Sequence, residues 1–128
     1  MSFQTLIAIG SGGFLGAVSR AYINELISHK VPHTLPFGTL GVNLIGSLLL
    51  GILIAFFMNT TLFSEHTKSF LSTGFLGALT TYSTFALESF FLLQGGHIAL
   101  GITNMLLNLL GTVIFAGVGF TLFNYFLK

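Results

Sequence analysis

The stretch Gly74-Phe75-Leu76-Gly77-Ala78-Leu79-Thr80-Thr81-Tyr82-Ser83-Thr84-Phe85 combines four Ser/Thr hydroxyls and three aromatic rings with two glycines. It lies inside an apolar segment long enough to cross a bilayer. In hydrocarbon every backbone group must find a partner within the protein, so Gly and Ser/Thr at this density are poorly placed unless the freed groups hold something polar. The stretch is therefore the best candidate for an ion or ligand site, in a helix expected to break at residues 77–80. The alternative is an unbroken span whose small residues pack against neighbouring helices.

Composition places the stretch in a membrane. The 128 residues include only four Lys+Arg and three Asp+Glu, and 53% are hydrophobic. A soluble domain carries about 25% charged residues, against 5% here. So few charges cannot solvate a globular surface, whereas a lipid-facing surface needs none, and the chain reads as an all-α integral membrane protein. No nucleic-acid partner is expected. The absence of Cys excludes disulfides and thiolate metal sites and leaves the redox compartment open.

Apolar segments of about 20 residues alternate with short polar breaks to give four spans, at about 3–28, 38–58, 69–93 and 98–127. Together they form a single four-helix transmembrane domain over 1–128. The first break holds Pro32 and Pro36, which stop a helix. The second comprises Asn59-Thr60-Thr61 and the charged patch Glu65-His66-Thr67-Lys68, and the third is Gln94-Gly95-Gly96-His97. The start lacks a basic n-region and an A-x-A cleavage pattern, so it is expected to be a retained helix and not a secretory signal.

An even number of spans puts both termini on one side with the loop between spans two and three. That side holds Lys68 and Lys128; the other holds Lys30, with Arg20 leaning towards it. Orientation follows an excess of Lys/Arg on one face, and two against two specifies neither. A chain that inserts both ways can form an antiparallel pair and supply an inverted repeat from two copies of itself. Dual topology is the expectation.

The remaining polar residues define candidate sites. Gly12 and Gly16 form a small-xxx-small face suited to close packing. Arg20, within the same span, either snorkels to the headgroups or supplies a positive field that draws anions into a vestibule. In span two Asn43 is the only amide before Asn59; it is either interhelical glue or a donor towards a pore anion. Asn104, Asn108 and Thr112 recur every four residues and make one polar stripe on span four. Tyr82 and Phe85 share a face, and aromatic edges are electropositive, so rings turned edge-on to a pore can hold an anion weakly. Glu88 lies a turn further along and suits a water-filled mouth. The hydroxyls of Thr80, Thr81, Ser83 and Thr84 can replace lost backbone bonds, and carbonyls exposed by a break are hard ligands that suit a small cation.

Enzyme chemistry finds little support. His29 and His33 are four apart, but Pro32 disrupts the helix that would align them, and no ligand cluster follows. Gly10-Ser11-Gly12-Gly13-Phe14-Leu15-Gly16 fails the nucleotide-loop spacing at Leu15.

Three ordered motifs carry a resemblance: Gly12-Gly13-x-x-Gly16-Ala17-x-x-Arg20, Gly38-Thr39-Leu40-x-Val42-Asn43-x-x-Gly46, and Gly74-Phe75-x-Gly77-x-x-Thr80-Thr81-x-Ser83-Thr84-Phe85. With all four spans, the length and the balanced charge, the chain resembles the Fluc/CrcB family of fluoride channels. The resemblance implies an antiparallel, dual-topology homodimer in the cell (inner or plasma) membrane, with a broken third helix and two pores lined by both subunits. It implies a pore-lining role for Asn43, anion-facing ring edges at Tyr82 and Phe85, and a hydroxyl track at Thr81, Ser83 and Thr84. It further implies a structural, untransported sodium ion held by the backbone carbonyls of Gly77 and Thr80 of both subunits. This chain departs from the family pattern in having Tyr82 where relatives have phenylalanine, and Asn104, Asn108 and Thr112 where they have a tyrosine and two serines.

The function implied is passive export of fluoride from the cytoplasm, which lowers its toxicity. Asn43, Asn108 and Thr112 are expected to offer donors to the ion. Two other classes remain open: a small dual-topology cation/proton exporter, which needs a carboxylate deep in a span, and a non-transporting membrane assembly subunit, which needs only packing glycines. Glu25 near the end of span one and Glu88 beyond the break suit the exporter poorly.

Overall fold

The computed structural model describes residues 1–127, with side chains to residue 126. Lys128, weighed above for orientation, lies outside the described residues. The described chain is all-helical and has four helices long and apolar enough to cross a membrane: Phe3–Lys30, Phe37–Asn59, Glu65–Gln94 and Ile98–Phe126.

Helix α1 (Phe3–Lys30) starts at Ser2, whose side chain accepts from the Thr5 N–H and satisfies one of the free first-turn donors. It ends just before Pro32, and α2 (Phe37–Asn59) begins directly after Pro36, which has no N–H to leave unpaired. The third span is composite: α3 (Glu65–Ser69), a π-helical stretch (Phe70–Leu76), α4 (Gly77–Leu79) and α5 (Tyr82–Gln94). It starts earlier than residue 69 because Ser64 accepts from the Thr67 N–H and Glu65 sits in the first turn, where the helix dipole favours an acid. Between α4 and α5, Thr80 (φ −85°, ψ 156°) and Thr81 (φ −148°, ψ 110°) are extended. Gly77, by contrast, is helical (φ −64°, ψ −32°), so the extended residues lie later than the 77–80 opening expected from sequence. The turn to α6 (Ile98–Leu122) passes through Gly96, whose φ of 85° is one that glycine adopts without strain. Residues Phe123–Leu127 continue as a π-helical turn.

Backbones touch where the glycines are. A Cβ on Gly12 would meet the Phe70 carbonyl oxygen, and one on Gly16 the Phe75 carbonyl oxygen, so α1 lies directly on the π-helical stretch. Likewise a Cβ on Gly51 would meet the Ala116 carbonyl oxygen and one on Gly119 that of Leu48, which brings α2 against α6. Such small-residue contacts are how membrane helices associate when lipid is as apolar as the side chains. The buried apolar set is small, with Val42, Ala55, Leu76, Leu79 and Phe85 at its centre, while Phe14, Leu109, Val113 and Ile114 stand exposed. In a bilayer such residues face lipid. The site depends on the α2–α6 contact, which sets Asn43 opposite Asn108.

Candidate functional site

Asn43 holds the extended pair. Its Oδ1 accepts from the Thr81 N–H at 2.7 Å, and its Nδ2 donates to the Thr81 carbonyl at 3.1 Å. The side-chain amide thus pairs with one residue of backbone as a neighbouring β-strand would. In a continuous helix the Thr81 N–H would donate to the Gly77 carbonyl one turn back, so its capture by Asn43 accounts for the chain leaving the helix at residue 80. Thr81 then caps α5: its Oγ1 accepts from the Thr84 N–H at 3.4 Å. The Thr80 carbonyl takes Arg20 Nη1, at 3.4 Å.

Behind Asn43 runs a buried chain of amides. Asn43 Nδ2 also donates to Asn108 Oδ1 (2.9 Å), Asn108 Nδ2 to Asn104 Oδ1 (3.1 Å), Asn104 Nδ2 to Ser89 Oγ (2.9 Å), and Ser89 Oγ to the Phe85 carbonyl (2.8 Å). Asn43, Asn104, Asn108 and Ser89 are all buried, and each is paired, as polar groups away from water must be. The chain links α2, α5 and α6 and returns to α5 one turn from where it began.

In front of this scaffold lies a cavity of about 220 Å³. Helix α2 contributes Asn43, Ser47 and Leu50, the third span Thr80, Thr81, Tyr82 and Phe85, and α6 Asn108, Leu109 and Thr112. The rings of Tyr82 and Phe85 meet edge to face, with centroids 5.1 Å apart. Among the described residues no charged side chain lines the cavity. Wall and contents therefore meet through uncharged dipoles and aromatic rings.

Among the sequence candidates, the cavity brings together Asn43, Thr80, Thr81, Tyr82, Phe85, Asn108 and Thr112. Ser83, Thr84 and Gly77 are exposed and do not line it. Arg20 reaches the Thr80 carbonyl. Glu88 lies apart, in a second cavity of about 210 Å³ with Thr34, Pro36, Phe91 and Leu92, and its Oε1 is buried without a hydrogen-bond partner among the described residues. In the protomer Asn43, Asn108 and Thr112 each donate to the chain itself, Thr112 to the Asn108 carbonyl at 2.6 Å. Ser47 and Ser89 were not among the candidates. Ser47 lies four residues beyond Asn43, and Ser89 four beyond Phe85, so helical spacing from a chosen residue is the signal that points to both.

A small cation would find hard oxygens here. With the Thr81 and Thr84 N–H groups turned to side chains, the Gly77 and Thr80 carbonyls lack their helical donors, and the Thr80 oxygen accepts from Arg20 instead. Neutral carbonyl oxygens of this kind fit an alkali or alkaline-earth ion. Among the described residues no group of three or more His, Cys, Asp or Glu is placed to hold a metal.

A family model described as "CrcB-like protein, Camphor Resistance (CrcB)" matches residues 7–120. The chain belongs to the CrcB family. It is 68% identical over 120 residues to a fluoride-specific ion channel FluC of Sulfurimonas denitrificans, covering 94% of this chain and 93% of the relative. A protein of the same name from Nautilia profundicola is 50% identical, with 94% of each chain covered. Another from Campylobacter jejuni is 42% identical over 94% of this chain and 98% of its own length. CrcB membership and four apolar helices make the chain a multi-pass membrane protein.

Proposed function

We propose that this chain is a fluoride-selective channel that lets fluoride leave the cytoplasm passively across the cell (inner or plasma) membrane. The observation that carries it is the uncharged polar cavity in front of Asn43 and Thr81, edged by Tyr82 and Phe85, in a chain 68% identical to a FluC channel. A wall of dipoles and ring edges replaces part of an anion's water without the grip of a fixed charge, so the ion can enter and leave. Weakly acidic HF enters a cell, dissociates at cytoplasmic pH and departs through the channel as fluoride. The same cavity speaks against a cation/proton exporter, because no carboxylate lines it.

The working unit in this proposal is an antiparallel homodimer of dual topology, with the third span broken at Thr80 and Thr81. Tyr82 supports a second copy: it lines the cavity and yet is 77% exposed in one protomer, alongside exposed Gly77, Ser83 and Thr84. A partner at this face completes the wall and brings a second pair of Gly77 and Thr80 carbonyls to the first. Sodium is the proposed occupant of those oxygens, as a structural ion that is not transported. Bound there, it would offset the partial negative charge of the carbonyls. In the protomer the Thr80 carbonyl also accepts from Arg20 at 3.4 Å.

The test is efflux from liposomes holding the purified protein, with fluoride and chloride compared side by side. Fluoride efflux far above chloride is expected; equal passage of both, or no flux, defeats the proposal. Reporter fusions at the C terminus should signal from both sides of the membrane, and a signal from one side alone removes dual topology.

A further inference from the structure

We infer that Asn104, which stands behind the cavity and not on it, is a positioning residue of the channel. With Ser89 it fixes the sense of the buried amide chain and so holds Asn108 and Phe85 in the cavity wall. This rests on the channel function proposed above and assigns the residues that keep its wall in register.

A side-chain amide can turn over and exchange its oxygen for its NH₂, so in a chain of amides each orientation depends on the neighbours. Here backbone groups anchor both ends and leave one solution. At the first end the Thr81 N–H takes an acceptor and the Thr81 carbonyl a donor, which sets Oδ1 and Nδ2 of Asn43. Asn43 Nδ2 meets Asn108 at 2.9 Å, and a donor there requires Asn108 Oδ1. At the far end the Ser89 hydroxyl gives its proton to the Phe85 carbonyl at 2.8 Å, so its oxygen is left to accept from Asn104 Nδ2 at 2.9 Å. That turns Asn104 Oδ1 towards Asn108 Nδ2, 3.1 Å away, where Asn108 also donates to the Asn104 carbonyl at 3.0 Å. The same orientation of Asn108 is thus imposed from both sides.

Asn104 closes the circuit. It is 0% exposed and does not line the cavity, so it acts through its neighbours. The backbone anchors, Thr81 and Phe85, lie four residues apart at the start of α5, and both line the cavity with Asn108. Helices α2 and α6 are tied into one hydrogen-bonded ring with that turn. Deleting the Asn104 amide releases one proton of Asn108 Nδ2 beside the cavity and takes the donor from Ser89, whose hydroxyl is then held from the Phe85 side alone. A binding wall keeps its geometry only where the residues behind it lock its side chains, and a fully satisfied buried network supplies such a lock.

The experiment compares Asn104→Leu, Ser89→Ala and the double variant with wild type, as purified homodimers in liposomes at less than one channel per vesicle. The fraction of vesicles emptied of fluoride counts active channels, and the rate of emptying reports conduction through each. Each single variant should slow the rate about threefold or more, the scale of one interhelical hydrogen bond. The double variant should be no slower than the slower single one, because a ring is broken once. Wild-type rates in both single variants overturn the inference. So does a loss confined to the fraction emptied, which is what a merely structural role gives, or a double variant whose losses multiply. Should Asn104→Leu not assemble, Ser89→Ala, which removes one hydroxyl, decides by its rate alone. If wild type itself fails to pass fluoride, it is the channel function that falls.

Discussion

Replacing Asn43 by alanine removes the clamp that its amide makes on Thr81. The Thr81 N–H and Asn108 Oδ1 each lose their partner from Asn43, while the Thr81 carbonyl, as an N-cap carbonyl, keeps the first bond of α5. Two orphaned buried groups at about 1–3 kcal/mol each suggest a large cost. Interhelical hydrogen bonds in membrane bundles average only about 0.6 kcal/mol, because freed groups find other partners. Here one such partner is at hand: the Thr81 N–H can return to the Gly77 carbonyl one turn back. We therefore expect Asn43→Ala to lower stability by only about 1–2 kcal/mol, with the extended pair at Thr80 and Thr81 closing into helix. Fluoride flux should nevertheless be abolished, because that closure removes the cavity wall. Denaturant unfolding in detergent measures the first quantity and liposome efflux the second. A double-mutant cycle with Asn108→Ala tests the mechanism, since the two amides bond directly at 2.9 Å. Their effects should fail to add by about 0.5 kcal/mol or more, the threshold for coupled sites. Wild-type flux in Asn43→Ala, or simple additivity in the cycle, refutes the clamp.

Three further outcomes follow from the same geometry. Gly16→Ala drives a methyl into the Phe75 backbone and should cost about 1–3 kcal/mol in unfolding experiments, whereas Gly117→Ala, with nothing within 4 Å of its Cβ, should be neutral or gain up to about 1 kcal/mol. Tyr82→Phe keeps the ring edge and should keep fluoride flux at the wild-type level in the liposome assay, while Phe85→Ile removes a buried ring and should impair flux in a dimer that still assembles. Lysines introduced at exposed Thr61 and Leu62, beside Lys68, should force one orientation by topology reporters and lower flux; coexpression with an oppositely biased variant should restore it.

How much of this was legible in the sequence depends on whether a residue acts through its own chain or through a neighbour. Composition and the prolines sufficed for four spans, because length and apolarity are properties of the segment itself. The polar stretch from Gly74 to Phe85 marked the site for the same reason. The position of the extended residues was harder to read, since glycines suggest where a helix can open and only a partner decides where it does. That partner is Asn43, 38 residues away, whose amide captures the Thr81 N–H. Donor availability was harder still. From sequence, Asn43 and Asn108 offer four N–H groups to a pore; in the fold Asn43 donates to Asn108 and the Thr81 carbonyl, and Asn108 to the side chain and carbonyl of Asn104. The stripe of strong polar groups thus sets the shape of the third span.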